Sequence, residues 1–285
     1  MRAVVPNTFT SLNLLCGLLG IVFAFNEMLE YSGMLVLIAA VFDFFDGFSA
    51  RMLNAKSAIG KELDSLADVV SFGVLPGIML FQFINIGNYQ YYTPLFERDL
   101  SFTLMAGTAF ILPIFSALRL AKFNVDSNQS SEFIGLATPA AAIFVASIGL
   151  IMGFQLPVNM YYPPTGTALA FSMGMYHQDI YDMWMFGVLF NPISHVILAL
   201  ILSALLVIPI PMFSLKLKGF SWKQNKTQYV FLIFCALFIF YAFAHFFFRI
   251  PGSITIEYSS FAWIIIIYVL ISIFQSIFRK NEVQS

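Results

Sequence analysis

Residues 43–68 read DFFDGFSARMLNAKSAIGKELDSLAD, and they set four aspartates at the facing ends of two long apolar stretches. Asp43 and Asp46 are three residues apart, and Asp64 and Asp68 are four apart. At about 100° per residue, each pair projects from one face of a helix. Because the intervening turn is short, the two helices are antiparallel neighbours, and we expect all four carboxylates to meet at a similar depth.

The composition of the whole chain indicates that these helices lie in a membrane. The 285 residues are 60% hydrophobic and only 10% charged, with a mean hydropathy of +0.85. An average soluble domain is about 45–50% apolar and about 25% charged. A soluble enzyme and a disordered protein are therefore excluded, and an all-α integral membrane protein is predicted, because backbone groups in lipid must be paired internally. The net charge of −1 excludes the basic field that nucleic-acid binding requires.

About eight transmembrane helices are predicted, because a span needs about 20 mainly apolar residues. Apolar runs of suitable length lie at 9–25, 32–52, 60–84, 102–123, 136–153, 191–213, 228–248 and 257–278. A weakly apolar stretch at 166–175 is too short to cross and is predicted to be interfacial or re-entrant.

The chain is expected to divide at a basic connector. We expect a membrane domain of six helices at 1–215, the connector at 216–227 and a C-terminal helix pair at 228–285.

The distribution of basic residues predicts the orientation in the membrane. With eight spans, both termini share one side, which collects twelve of the fourteen Lys and Arg residues and leaves only Arg98 and Arg249 on the opposite side. By the positive-inside rule, the termini and the four aspartates lie on the cytoplasmic side of the cell membrane.

Four ionised carboxylates at one point in a membrane require compensation. At about 4 Å and an effective dielectric constant near 20, each pair repels by about 4 kcal/mol. Protons would offset this in a proton relay, and pairing with Arg51, Lys56 and Lys61 would offset it in a purely structural arrangement. Hard divalent cations are a third solution, since carboxylate oxygens suit Mg²⁺, Ca²⁺ or Mn²⁺. Two such ions about 3.5–4 Å apart are the arrangement used for displacement at phosphorus.

The residues around the aspartates suit a phosphate-bearing ligand. Gly47 and Ala50 remove side-chain bulk beside the first pair, and Arg51 offers a bidentate fork for phosphate. Gly60 keeps the turn open before the second pair, and Ser57 can donate a hydroxyl hydrogen bond there.

With its fixed positions written out, the stretch is D-x2-D-G-x2-A-R-x8-G-x3-D-x3-D, which resembles the CDP-alcohol phosphotransferase signature at every fixed position. The resemblance implies that two divalent cations, Mg²⁺ or Mn²⁺, are bound. Asp43, Asp46 and Asp64 look like ligands of one ion, and Asp43, Asp64 and Asp68 look like ligands of the other. Asp68 also resembles the general base. Gly47, Arg51 and Ser57 occupy positions that touch the cytidine diphosphate moiety in this family.

Flanking segments resemble the phosphatidylserine synthase branch of that family. They are PNTFTSLNLLCG at 6–17, KELDSLADVVSFGVLPG at 61–77, SALRLAKFNV at 116–125 and FIGLATPAAA at 133–142. The resemblance implies transfer of the phosphatidyl group from CDP-diacylglycerol to L-serine, in a homodimer within membrane lipid. We expect Arg119 or Lys122 to bind the carboxylate of serine or a phosphate oxygen, with Asn124 nearby.

Two other functions remain possible from the sequence. The eight signature residues bind the donor that all members of the family share, so the acceptor alcohol could instead be glycerol 3-phosphate or inositol. A cation channel or proton-coupled transporter would also use membrane carboxylates, but it predicts charges spread through the membrane depth. Here the acids gather at one end of the spans.

Overall fold

The chain is almost entirely helical in the computed structural model, which describes residues 4–26, 28–55, 57–125, 133–155, 158–161, 170–173, 180–212, 221–222, 225–248 and 258–284. In chain order the helices are α1 (Val4–Phe25), α2 (Leu29–Met52), α3 (Ala58–Gly87), α4 (Leu100–Val125), α5 (Thr138–Phe154), α6 (Ile180–Leu189), α7 (Pro192–Val207), α8 (Lys226–Phe248) and α9 (Ser259–Gln284). Two short antiparallel ladders pair β1 (Phe133–Ile134) with β4 (Pro211–Met212) and β2 (Val158–Tyr161) with β3 (Ala170–Met173).

The predicted all-α membrane fold is confirmed. Five helices, α1, α2, α3, α4 and α9, are long and apolar enough to cross a membrane, and α5, α7 and α8 are shorter apolar helices. Each of the eight predicted spans coincides with one of these helices. The short helix α6 was not predicted. Of the stretch predicted to be interfacial or re-entrant, only 170–173 is described, as strand β3, and most of the connector at 216–227 also lies outside the described residues.

Helix α3 forms the centre of the bundle. In its most apolar window 72% of the residues are buried, against 11–33% in the other four long helices. It contacts α1 on one side and α4 and α7 on others, while α2 packs between α1 and α5. Small residues allow the close crossing of α1 and α3, because a Cβ on Gly17 would lie 2.5 Å from Ser71 Oγ. The aspartates of α3 are thereby held against both α1 and α2.

The turn between α2 and α3 is tightly specified by its sequence. Asn54 adopts a left-handed conformation (φ 48°), which Asn tolerates better than most residues. The Ala55 amide donates to the Ala50 carbonyl (2.9 Å) and the Asn54 amide to Arg51 (3.3 Å), which closes α2 with a Schellman motif. Ser57 then caps α3, as its hydroxyl oxygen accepts from the Gly60 amide (3.0 Å). These caps fix the relative position of the two aspartate pairs.

Helix α3 changes its winding immediately after Asp68. Residues Val69–Val74 form a π-helical turn, which widens the helix by local insertion of a residue. This turn packs against α4, where a Cβ on Gly73 would lie 3.1 Å from Ser116 Cβ. The π turn that follows Asp68 is therefore a point of close packing between α3 and α4.

The last helix belongs to the main core. Helix α9 packs against α5 and strand β4, and its residues Tyr268 and Val269 lie against the buried hydrophobic cluster. Helix α8 packs against α9. The division at the connector stays a prediction.

Candidate active site

An acidic cluster lies where α2 and α3 meet at their connecting turn. Carboxylate oxygens of Asp43, Asp64 and Asp68 all lie within 4.8 Å of one another. Asp46 lines the same cavity as Asp64 and interacts electrostatically with it, which joins the fourth acid to the cluster. Asp46 and Asp68 are only 6% and 9% exposed. The structure thus brings together the four aspartates whose convergence the spacing predicted.

Helix α1 supplies polar partners to two of these acids. Thr10 Oγ1 donates to Asp46 Oδ2 (2.8 Å), and Asn13 Nδ2 donates to Asp68 Oδ1 (3.1 Å). Thr10 and Asn13 are themselves buried. Because these hydrogen bonds hold the carboxylates by one oxygen, the other oxygens remain available to a ligand at the centre of the cluster.

The donor set of the cluster fits a divalent cation. Asp64 Oδ1 is buried and has no hydrogen-bond partner among the residues that the structure describes. A buried unpaired carboxylate oxygen is costly, and three converging carboxylates are hard ligands of the kind that Mg²⁺ and Mn²⁺ take. Lys61 is bonded towards α4, since its Nζ donates to the Asn124 carbonyl (3.1 Å). Asp43, Asp64 and Asp68 are therefore the residues that would hold a metal ion.

A cavity of about 530 Å³ opens beside the cluster. Its walls come from α1, from the end of α2 and from the start of α3, and the lining residues are Pro6, Asn7, Thr10, Asp46, Gly47, Ala50, Ala55, Ser57, Ala58, Gly60, Lys61 and Asp64. This volume falls within the range of small-molecule sites in proteins.

The glycines and small residues of the motif shape this cavity. A Cβ on Gly47 would meet nothing nearer than Arg51 Nη1 at 3.6 Å, so a larger side chain there would project into open space rather than into the protein. A Cβ on Gly60 would lie 2.9 Å from Ser57 Oγ. Arg51 is exposed, is not part of the cavity wall, and interacts electrostatically with Asp46. Gly47, Ala50, Ser57 and Gly60 thus form one wall, with Arg51 beside it.

The three predicted acceptor residues occupy different environments on α4. Arg119 interacts electrostatically with Asp68, and its Nε is buried without a hydrogen-bond partner among the described residues. Asn124 joins α4 to α3, since its Nδ2 donates to Ser65 Oγ (2.8 Å). Lys122 is exposed. Of the three, Arg119 is the residue that the structure places beside the acidic cluster.

The contribution of Thr10 was not predicted from the sequence. The signal was present, because Asn7, Thr10 and Asn13 recur every three residues and therefore share one helical face. A polar stripe in an apolar span indicates a face turned towards protein or a polar cavity. What the sequence could not show is which helix that stripe faces.

Substitution Thr10→Val is expected to weaken divalent-cation binding about tenfold or more. Valine has nearly the same shape but cannot donate to Asp46, and loss of such an outer hydrogen bond typically costs about 10–100-fold in metal affinity. The measurement is the Mn²⁺ concentration that gives half-maximal thermal stabilisation of the purified protein. Thr8→Val is the matched control, because the exposed Thr8 hydroxyl donates only to Val4 of its own helix (2.8 Å). Equal metal affinity in both variants would contradict the role given to Thr10.

The fold and the site together define a class: a polytopic helical membrane protein with an acidic metal-compatible cluster beside a ligand-sized cavity. The family model described as CDP-alcohol phosphatidyltransferase matches residues 3–176, more than half of the chain. The chain belongs to this family, which uses a divalent metal, and its aspartate cluster is compatible with that use.

Several curated relatives are similar to this chain over about half of its length. A CDP-diacylglycerol–serine O-phosphatidyltransferase of Helicobacter pylori (strain J99) is 36% identical over 144 residues, which cover 49% of this chain and 54% of that protein. Proteins of the same name from Bacillus subtilis and Methanocaldococcus jannaschii are 34% and 36% identical, over 49% and 53% of this chain and 71% and 60% of their own lengths. The chain thus spans about half the length of the Helicobacter relative.

Proposed function

We propose that this protein transfers the phosphatidyl group of CDP-diacylglycerol to L-serine, giving phosphatidylserine and CMP. The observation that carries the proposal is the convergence of Asp43, Asp64 and Asp68 beside a cavity walled by Gly47 and Ser57. The serine acceptor is supported by the names of the curated relatives. The proposed donor and reaction type are supported by the match to the CDP-alcohol phosphatidyltransferase family.

The cavity of about 530 Å³ is proposed to hold the cytidine diphosphate part of the donor. Gly47 and Ala50 let the diphosphate approach the backbone of α2 closely, and Arg51 supplies a positive charge at the rim. Ser57 holds the wall in place through its cap on α3. The acyl chains extend between the apolar helices into the bilayer, because the outer faces of α1 and α2 expose large apolar side chains such as Leu18 and Phe44.

Asp68 is proposed to accept the hydroxyl proton of serine as the hydroxyl oxygen attacks phosphorus. In the overall reaction the bond from phosphorus to that oxygen forms, the bond to the CMP oxygen breaks, and CMP leaves with its electron pair. Asn13 holds Asp68 by Oδ1 (3.1 Å), which orients its other oxygen. A bound divalent cation would neutralise charge on the phosphate under attack and on the departing CMP. Arg119 offers the charge that binds the serine carboxylate.

The number of metal ions, the membrane side of the site and the oligomeric state belong to the same proposal. Two divalent cations, Mg²⁺ or Mn²⁺, would balance the four carboxylates, with Asp43 and Asp64 shared between them. The site is placed at the cytoplasmic face of the cell membrane with both termini on that side, supported by the distribution of Lys and Arg. A homodimer is supported by the family resemblance.

A panel of acceptors tests the proposed function directly. Purified protein in detergent or liposomes is given CDP-diacylglycerol, Mn²⁺ and one labelled alcohol: serine, glycerol 3-phosphate or inositol. We expect CMP release and a labelled lipid with serine only, and neither product in EDTA. A labelled lipid with glycerol 3-phosphate or inositol in place of serine would assign another acceptor within the family. Absence of CMP release with every acceptor would contradict the transferase itself.

A further inference from the structure

The cavity beside the acidic cluster has a cation in its wall. Of the described residues that line this cavity, only Lys61 carries a positive charge, whereas Asp46 and Asp64 carry negative charges. Lys61 lies three residues before Asp64 and therefore on the same face of α3. It falls between the fixed positions of the family signature, so the resemblance assigns it no part in the reaction. A negatively charged ligand in this cavity would meet an attractive charge at Lys61.

The ammonium group of Lys61 is bonded to the end of α4. Its Nζ donates to the carbonyl oxygen of Asn124 (3.1 Å), one residue before α4 ends at Val125. Lysine is favourable at such a position, because the last carbonyl groups of a helix have no partner within the helix. An ammonium group has three donor hydrogens, so this bond leaves two of them for a ligand.

Two further hydrogen bonds close a network between α3 and α4. Asn124 Nδ2 donates to Ser65 Oγ (2.8 Å), and Ser65 Oγ donates to the carbonyl oxygen of Lys61 (3.3 Å). The Lys61 side chain is exposed and would otherwise sample many rotamers. Because the network restricts this freedom before a ligand arrives, less side-chain entropy is lost when the ligand binds.

We propose that Lys61 binds the diphosphate group of CDP-diacylglycerol, and that Asn124 and Ser65 are positioning residues for its ammonium group. The inference rests on the proposed function, since it adds a binding residue to the donor cavity of the same site. A lysine suits this position because its ammonium group is a point charge that can contact either phosphate group. Asn124, which the sequence placed near the acceptor, then serves the donor.

Substitution Lys61→Met tests the diphosphate contact, because methionine is also unbranched but carries no charge. We expect the KM for CDP-diacylglycerol to rise about tenfold, which is typical for the loss of one hydrogen bond to a charged group. The kcat and the KM for serine should change by less than about twofold, because the contact binds ground state and transition state alike. Lys61→Arg should restore most of the donor affinity. An unchanged KM for CDP-diacylglycerol in Lys61→Met would overturn the proposal.

Lys226→Met is the matched control for the loss of a lysine charge. Lys226 is exposed at the start of α8 and is not part of the cavity wall. The substitution should leave every kinetic constant unchanged. A rise in the KM for CDP-diacylglycerol equal to that of Lys61→Met would show a general effect of surface charge on a lipid substrate, and it would overturn the specific role.

Binding of CDP alone separates this inference from the proposed function. CDP is titrated into the purified protein in the presence of Mn²⁺, and its dissociation constant should rise about tenfold in Lys61→Met. Equal CDP affinity in both proteins would overturn the assignment of Lys61. If CDP binding depends on Lys61 but no acceptor gives CMP release from CDP-diacylglycerol, the transferase fails while the diphosphate contact stands.

Asn124→Ala and Ser65→Ala test the positioning role, because they remove the same hydrogen bond from opposite ends. Both should raise the KM for CDP-diacylglycerol by about twofold to fivefold and leave the KM for serine unchanged. Neither should add to the effect of Lys61→Met if they act through its ammonium group. A rise in the KM for serine with Asn124→Ala, or multiplicative effects with Lys61→Met, would overturn the positioning role.

Discussion

Substitution Asp68→Asn is expected to lower turnover with serine by about 10²–10⁴-fold, which is the usual contribution of a general base. Asparagine keeps the size of the side chain and can still bond to Asn13, but it cannot take the hydroxyl proton of the acceptor. Turnover is measured as CMP release at saturating serine and Mn²⁺. Binding of CDP-diacylglycerol should persist, because Asp68 is not part of the cavity wall.

The base assignment depends on the variant being folded and loaded with metal. Mn²⁺-dependent thermal stabilisation of Asp68→Asn establishes both. Wild-type turnover in a metal-loaded Asp68→Asn protein would exclude Asp68 as the base. Substitution Asn13→Ala should lower turnover less than Asp68→Asn does, since it removes the group that orients Asp68 but leaves the carboxylate in place.

Substitution Asp64→Asn is expected to abolish detectable transfer, with a loss of about 10³-fold or more. Asp64 occupies the middle of the cluster, in reach of Asp43 and Asp68 and in electrostatic interaction with Asp46. Loss of several kcal/mol of charge neutralisation at phosphorus corresponds to at least that factor in rate. The same substitution should raise the thermal stability of the metal-free protein, because it removes one of four mutually repelling carboxylates.

The metal dependence of stability gives a readout that is separate from activity. Mn²⁺ at about 100 times its dissociation constant should stabilise the unsubstituted protein by about 2.7 kcal/mol, and this gain should be lost in Asp64→Asn. Glu62→Gln is the matched control, since Glu62 is an exposed acid on the same helix and lies outside the cluster. Equal metal stabilisation of both variants would remove Asp64 from the metal site.

The membrane fold and the meeting of the aspartates were predictable because both depend on local periodicity. Apolar runs of about 20 residues predict spans whatever their neighbours are. The spacing of three between Asp43 and Asp46, and of four between Asp64 and Asp68, sets each pair on one helical face. The short turn between the pairs limits the relative orientations that α2 and α3 can adopt, and the caps at Asn54 and Ser57 restrict that orientation further.

Groups that reach the site from distant parts of the chain were much harder to predict. Thr10 bonds to Asp46 from 36 residues away, and Asn13 bonds to Asp68 from 55 residues away. In lipid, a polar side chain on a span must face some partner, but hydropathy does not say which partner. The π turn after Asp68 was equally hidden, since VVSFGV reads as ordinary apolar helix.

The sequence by itself determined the class of protein, the positions of its apolar helices and the identity of the acidic residues, because composition, hydropathy and helical spacing are properties of neighbouring residues. Only the tertiary structure decided that α1 supplies a wall of the cavity, that Lys61 bonds to α4, and that Thr10 and Asn13 of α1 bond to Asp46 and Asp68. These contacts depend on how helices pack, which side-chain shape and small residues at each crossing determine.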